Sequence, residues 1–212
     1  MTQWTKRELD ELENNPNDYG WDDLRVPMQN TRINPAKSEP AFEAWIDGIF
    51  AYHFDAANDN DASLHFSAQL PHSWAEGTEL RPHIHWAPST AAAGDVVWEL
   101  DYIICNIGEA FAASASTLTV TDAAAGVANQ HQTSSFGSIS GKGVRISAML
   151  ICRLTRLGDD GDDDYGADAI ALEFDIHYRK DSDGSYHESY KLSDEYRKLK
   201  GKVAKPYLPG AW

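Results

Sequence analysis

The sequence predicts an all-β domain: an antiparallel β-sandwich, in its simplest form a jelly roll, flanked by an extended N-terminal arm and a C-terminal tail. Three observations predict it. Segments of near-perfect period-two alternation recur between about residues 45 and 178, about eight of them. Turn-forming clusters separate them: Asn58-Asp-Asn-Asp61, Ala75-Glu-Gly77, Ala93-Gly94-Asp95, Gly141-Lys-Gly143 and Asp181-Ser-Asp-Gly184. No internal repeat is present, which argues against a propeller or solenoid. Successive side chains of a strand point to opposite faces, so alternation marks half-buried strands. A count near eight with short turns fits two packed antiparallel sheets.

The chain divides into residues 1–44 (arm), 45–180 (sandwich) and 181–212 (C-terminal extension). In the arm, Thr5 and Glu8 have capping-box spacing for a short helix that Asn14-Asn-Pro16-Asn17 ends. Residues 20–35 are Pro- and Asn-punctuated and read as extended. Trp4, Tyr19, Trp21, Leu24, Val26, Met28 and Ile33 are too many large apolar groups for a solvated tail. The arm is therefore expected to lie on its own domain or on a neighbouring subunit.

Within the sandwich, residues 45–54 read as one strand with Ile46, Phe50, Tyr52 and Phe54 on one face. Residues 62–70 align Leu64, Phe66, Ala68 and Leu70, and residues 79–87 align Leu80, Pro82, Ile84 and Trp86. Residues 95–105 align Val96, Trp98, Leu100, Tyr102 and Ile104. Weaker strands at 117–121 and 131–139 flank a small-residue stretch. Residues 145–155 align Ile146, Ala148, Leu150, Cys152 and Leu154. The clearest strand, 168–178, sets Ile170, Leu172, Phe174, Ile176 and Tyr178 against Ala171, Glu173, Asp175 and His177. A short helix is expected at 193–200, before a stiff Pro-rich end.

The 212 residues, 42% hydrophobic, suffice for one sizeable core. A net charge of −15 disfavours a nucleic-acid binder, whose phosphate contacts need Lys and Arg. The segment from Tyr190 to Trp212 carries six basic and two acidic residues, so a +4 tail follows a body of −19. Such a tail is either solvated or docks on a neighbouring copy. Cys105 and Cys152 sit in apolar strand patterns and read as unpaired buried thiols. The N-terminus lacks a signal peptide's apolar region, and no stretch approaches 18 apolar residues, so folding in a cytoplasm without membrane association is expected.

The sharpest chemical motif is Gly77-Thr-Glu-Leu-Arg-Pro-His83-Ile-His85. It resembles the first half of a cupin metal motif, which would imply a metal-dependent enzyme on a jelly roll. The pattern then departs: Trp86-Ala-Pro-Ser-Thr90 stands where the motif's Glu would follow, and no second motif appears downstream. Two His at i and i+2 share a face and can ligate a metal. If residues 79–87 and 95–105 form a hairpin, His83 and His85 instead face Glu99 and Asp101 in cross-strand pairs. The acidic run Asp159–Asp164 fits either a solvated loop or a Ca²⁺ loop, though Tyr165 stands where an EF-hand needs Gly. Asp181-Ser-Asp-Gly184 reads as turn chemistry. No Gly-x-Ser-x-Gly elbow is present, and nothing selects a glycosidase's pair of carboxylates. An exposed tryptophan such as Trp74 would be able to stack on sugars, although packing is the commoner use.

Several segments together resemble a family of small structural proteins encoded by tailed bacteriophages near head and tail genes. They are Trp21-Asp-Asp-Leu-Arg25-Val-Pro27, Leu70-Pro-His-Ser-Trp-Ala-Glu-Gly77, Pro82-His-Ile-His-Trp86, Gly94-Asp-Val-Val-Trp98, Asp164-Tyr-Gly-Ala-Asp168 and Leu172-Glu-Phe-Asp-Ile-His-Tyr178. The resemblance spans about residues 19–180. It implies a non-enzymatic virion component without cofactor: a capsid decoration (cement) protein, or a head–tail accessory protein. The expected partners are its own copies, as a homotrimer, and the major capsid or other virion proteins. The expected contact residues are Trp4, Trp21, Leu24 and Arg25 in the arm and Tyr207, Leu208 and Trp212 at the C-terminus. A metal enzyme using His83 and His85 and a carbohydrate-binding tail or neck accessory protein are the alternative expectations.

Overall fold

A computed structural model describes residues 20–36, 40–56, 62–185, 187–188 and 190–191. Among them, eleven strands form two antiparallel sheets. The first sheet holds β1 (Trp21–Pro27), β3 (Ala41–Ile46), β4 (Ile49–Phe54), β6 (Leu80–Pro88), β9 (Gln132–Ser135) and β11 (Ala169–Arg179). Its order is β3-β4-β11-β6-β9, with β1 also paired to β11. The second holds β2 (Arg32–Ile33), β5 (Ser63–Gln69), β7 (Asp95–Cys105), β8 (Ser116–Ala123) and β10 (Met149–Arg156), in the order β2-β5-β10-β7-β8. The fold is the expected all-β antiparallel sandwich of jelly-roll type.

One core fills the space between the sheets, because each strand's alternation turns its apolar set inward. Leu64, Leu100, Leu150, Leu154, Ile84 and Phe174 are fully buried there. Trp98 is the hub, with Phe54 at 5.1 Å and Trp86 at 5.9 Å between ring centroids, both edge-on. Edge-to-face packing is the arrangement that aromatic quadrupoles favour. Trp74 is also fully buried, and its Nε1 donates to Thr78 Oγ1 at 3.0 Å. It is core, not a surface for stacking sugars.

Four expectations change. The segment 45–54 is not one strand: Asp47 (φ 48°) and Gly48 (φ 77°) make a two-residue turn, and β3 and β4 form a hairpin. Left-handed conformation at both central positions matches the twist of such hairpins. Residues 20–33 are not an arm outside the sandwich: β1 pairs with β11, and Val26 and Met28 join the core. The strands at 79–87 and 95–105 are not a hairpin. β6 lies in the first sheet and β7 in the second. Between them the chain crosses over the core, and at Gly94 (φ 146°) it approaches so closely that a Cβ would stand 2.6 Å from Tyr165 Cα. The fourth change is in β11. A bulge between Ala171 and Glu173 shifts its register against β6. Ala169 and Ala171 therefore face the core, while Ile170 turns outward to Ala51 and Ala87. An extra residue reverses the facing of everything beyond it.

One carboxylate of the acidic loop, Asp163, turns inward. Asp163 pairs with the fully buried Arg156, with Nη2–Oδ1 at 2.7 Å, and also accepts from the Val97 amide. Asp164 Oδ1 accepts from the Asp95 amide. These carboxylates pin the loop, so the Ca²⁺ alternative loses two of its donors. Cys105 and Cys152 are buried and unpaired. The expected helices near Thr5 and at 193–200, and the contact residues Trp4, Tyr207, Leu208 and Trp212, lie outside the described residues. Among the described residues no helix is long and apolar enough to cross a membrane.

Candidate functional site

The outer face of the six-stranded sheet carries most of the unusual chemistry. Beyond its bulge, β11 turns Glu173, Asp175, His177 and Arg179 outward. Strand β6 brings His85 opposite Glu173, His83 opposite Asp175 and Arg81 opposite His177. On the other side, β1 brings Arg25 opposite Asp175 and Asp23 opposite His177. Three strands thus place three rows of titratable groups side by side.

Asp175 is the centre, with its side chain only 6% exposed. Its Oδ2 lies 3.3 Å from His85 Nε2 and 3.3 Å from His177 Nε2. Its Oδ1 lies 3.7 Å from His83 Nδ1, beyond hydrogen-bond reach, and both atoms are buried without a partner. The His83 and His177 rings stand 4.2 Å apart. His177 Nε2 is also 3.2 Å from Asp23 Oδ1. His85 Nδ1 is 2.8 Å from Nε2 of His131, which precedes β9, so one imidazole donates to the other. Burial pushes the His83 imidazolium to lower pKa, the neighbouring His177 adds to this, and Asp175 opposes it. His83 is thereby held toward the neutral form, the form that binds metals. Arg25 donates from Nε and Nη2 to the two oxygens of Glu173, with Nη2–Oε2 at 2.6 Å. That pairing holds the Glu173 carboxyl below its ordinary value.

A tryptophan closes each end of this face. On β3, Trp45 packs, as Leu172 does, against the cluster of Ala51, Ala87 and Ile170, and its Nε1 donates to Asn129 Oδ1 at 2.7 Å. At the other end, Trp21 is 42% exposed, with the Arg81 and Arg179 guanidiniums 4.5 and 5.6 Å from its ring. On the opposite face of the same hairpin, Phe42 and Phe50 pack at 5.7 Å and are about half exposed.

His83 and His85 are thus together on a polar face, as expected, but their partners are not Glu99 and Asp101. Those acids face outward on the second sheet, where Asp101 holds Arg153 and Thr117. The true partners, Glu173 and Asp175, sit on the strand whose alternation is plainest. Of the expected contact residues, Leu24 packs against the core and Arg25 is committed to Glu173. Trp21 keeps an exposed ring. Sequence reasoning missed Asp23, His131 and Trp45. The i, i+2 spacing of Trp21, Asp23 and Arg25 is a usable signal for one shared face, whereas His131 opens the weak 131–139 segment, of which only Gln132–Ser135 is strand, and no alternation there assigns it a face.

No protein-family model matches the chain, and no curated protein matches it. Solved structures are similar to it at low identity. The CBM22-1–GH10 modules of Clostridium thermocellum xylanase Xyn10B share 12% identity at a TM-score of 0.39. That similarity covers 76% of this chain and 28% of the xylanase chain. The CBM36-1 domain of a multidomain xylanase from the hindgut metagenome of Trinervitermes trinervoides shares 10% identity at a TM-score of 0.38, over 74% of this chain and 96% of that one. CBM35 from Cellvibrio japonicus Abf62 shares 11% identity at a TM-score of 0.36, over 76% and 98%.

Proposed function

We propose that this chain is a non-catalytic binding module that takes carbohydrate along the outer face of its six-stranded sheet. One observation carries the reading: two tryptophans, Trp45 and Trp21, bound a row of hydrogen-bonding side chains on a single rigid face. A sugar ring offers an apolar C–H face and an edge of hydroxyls. Indole rings suit the first, being large, apolar and conformationally stiff. Carboxylates, imidazoles and guanidiniums suit the second, because they supply both donors and acceptors. The Trp45 indole is already fixed by Asn129, so stacking on it forfeits little side-chain entropy. From Leu172 to Arg179 the face runs about 23 Å, seven residues at the rise of a strand. That length suits an oligosaccharide better than a single sugar.

In the setting that the phage-family resemblance implies, such a module is a tail or neck accessory protein that recognises a surface glycan. A capsid-cementing role rests instead on arm and tail contacts, and four of those seven residues lie outside the described residues. Affinity electrophoresis against a panel of soluble polysaccharides, including bacterial surface glycans, tests the proposal. At least one polysaccharide should retard the protein. Trp45→Ala and Trp21→Ala should each weaken that binding about tenfold, which corresponds to about 1.4 kcal/mol. Both tryptophans border solvent, so the variants should remain folded by circular dichroism. Binding unchanged in both variants, or no retardation by any polysaccharide, would sink the reading.

A further inference from the structure

We propose that His83, Asp175 and His177 form a binding site for one divalent transition-metal ion of the zinc class. The proposal stands apart from carbohydrate recognition, and neither needs the other.

The geometry carries it. One ligand atom from each of the three residues falls within 4.8 Å of the others. His83 Nδ1 and Asp175 Oδ1 are 3.7 Å apart, and His177 Nε2 and Asp175 Oδ2 are 3.3 Å apart. Zinc ligands sit about 2.0–2.2 Å from the ion, so neighbouring tetrahedral ligands stand about 3.3–3.6 Å from each other. A separation of 3.7 Å is too long for a hydrogen bond. It is close to what two donors sharing an ion need.

The second observation is independent of spacing. Asp175 Oδ1 and His83 Nδ1 are buried without a hydrogen-bond partner, and the Asp175 side chain is more than nine-tenths buried. A desolvated carboxylate oxygen with no partner is costly. A cation between the two atoms would satisfy both at once. A purely structural cluster of His–carboxylate hydrogen bonds accounts for Oδ2, which two imidazoles reach, but leaves these two atoms unexplained.

The donor set selects the ion. Two imidazoles and one carboxylate suit Zn²⁺, Ni²⁺ or Cu²⁺, whereas Ca²⁺ and Mg²⁺ prefer all-oxygen sets. His85, at 3.3 Å from Asp175 Oδ2, orients the carboxylate from outside the triad, as supporting hydrogen bonds commonly do. His83 and Asp175 are cross-strand neighbours on β6 and β11, and His177 follows Asp175 by two residues on the same face. The backbone ladder therefore sets their relative placement. The three ligands leave a position on the solvent side, where the His177 side chain is 39% exposed, for water or an oxygen of a bound molecule.

The test uses the full chain, stripped with a chelator and titrated calorimetrically with ZnCl₂ alone and with CaCl₂ alone, no glycan being present. The expected result is one Zn²⁺ per chain and no Ca²⁺ uptake. Asp175→Asn and His83→Gln should each lower Zn²⁺ affinity at least tenfold. Because those two side chains are buried, His177→Gln provides a partly exposed third variant, with the same loss expected and the fold checked by circular dichroism. His65→Gln, on the outer face of the other sheet, should bind Zn²⁺ as the unmodified chain does. Absence of stoichiometric Zn²⁺ binding would overturn the proposal. So would equal binding by His177→Gln, an equal loss in His65→Gln, or preference for Ca²⁺. Failure of the glycan experiment would leave these outcomes unaffected.

Discussion

Arg156 shows how one residue decides the fate of a whole loop. Its side chain is fully buried at the end of β10, where the alternation of Leu150, Cys152 and Leu154 would place another apolar group. Its Nε and Nη2 donate to the two oxygens of Asp163 at 2.9 and 2.7 Å. Its Nη1 donates to the carbonyls of Phe54 and Ala167 at 3.0 and 2.7 Å, and Nη2 also reaches the Tyr165 carbonyl. A guanidinium can be buried only when its donors are satisfied and its charge is paired, and both conditions are met here. The acidic run therefore looks solvated in the sequence and is partly structural in the fold. Nothing in Asp159–Asp164 marks Asp163 as the residue that turns inward, because its partner lies on a strand whose pattern predicts a hydrophobe. Replacing Arg156 with Met should destabilise the protein by about 3–5 kcal/mol, since it strands a buried carboxylate and three carbonyls. Urea denaturation measures this. Arg156→Met with Asp163→Asn should recover part of the loss, and a cost below about 1 kcal/mol for the single change would contradict the pairing.

At the scale of elements, β11 is both the most legible strand and the one that misleads. Its alternation identifies it as a strand and correctly turns Phe174, Ile176 and Tyr178 inward and Glu173, Asp175 and His177 outward. It fails from Leu172 back to the strand's start, because an unbroken period cannot reveal a bulge. The apolar outward cluster of Ile170, Ala51 and Ala87 mimics a core face in sequence, so Ile170 looks continuous with Phe174. The same limit explains the missed pairing of β6. Period two says which face a residue occupies and is silent about which strand lies beside it. His83 and His85 were therefore placeable on a polar face, while Asp175 and Glu173 as their neighbours were not. The bulge absorbs Leu172, so that Ile170 before it and the carboxylates after it share one outer face. Deleting Leu172 should leave a cooperative unfolding transition with a melting temperature close to that of Leu172→Ala. The deletion removes the extra residue and leaves Ile170 and Glu173 both outward in an unbroken ladder, whereas Leu172→Ala keeps the bulge and removes part of a half-buried side chain. Thermal melts of the two variants compare them directly, and loss of cooperative unfolding in the deletion alone would show that Leu172 is not the residue the bulge absorbs.

For the whole molecule, the question is whether the two sheets open together or separately. The second sheet carries both cysteines, in different surroundings. Cys152 is 3% exposed at the middle of β10, between Phe66 on β5 and Tyr102 on β7, and faces the core. Burial raises its thiol pKa strongly. Cys105 ends β7, 6% exposed, with its Sγ directed at the carbonyls of Asn106 and Glu109 in the following loop. Only a thiolate reacts readily, and it must first reach solvent. Cys105 needs the loop and the last residue of a strand to move, an opening that costs a fraction of global stability. Cys152 needs β10 to leave two neighbours and the core at once. Because Trp98 on the second sheet packs edge-on against Trp86 and Phe54 on the first, that departure should dismantle the sandwich as a unit. Pulsed alkylation read by mass spectrometry should therefore label Cys105 at low urea with little urea dependence. Labelling of Cys152 should be much slower, with a urea dependence equal to that of global unfolding. Equal labelling of the two thiols in the absence of urea would show instead that β10 opens locally and that the aromatic contacts do not couple the sheets.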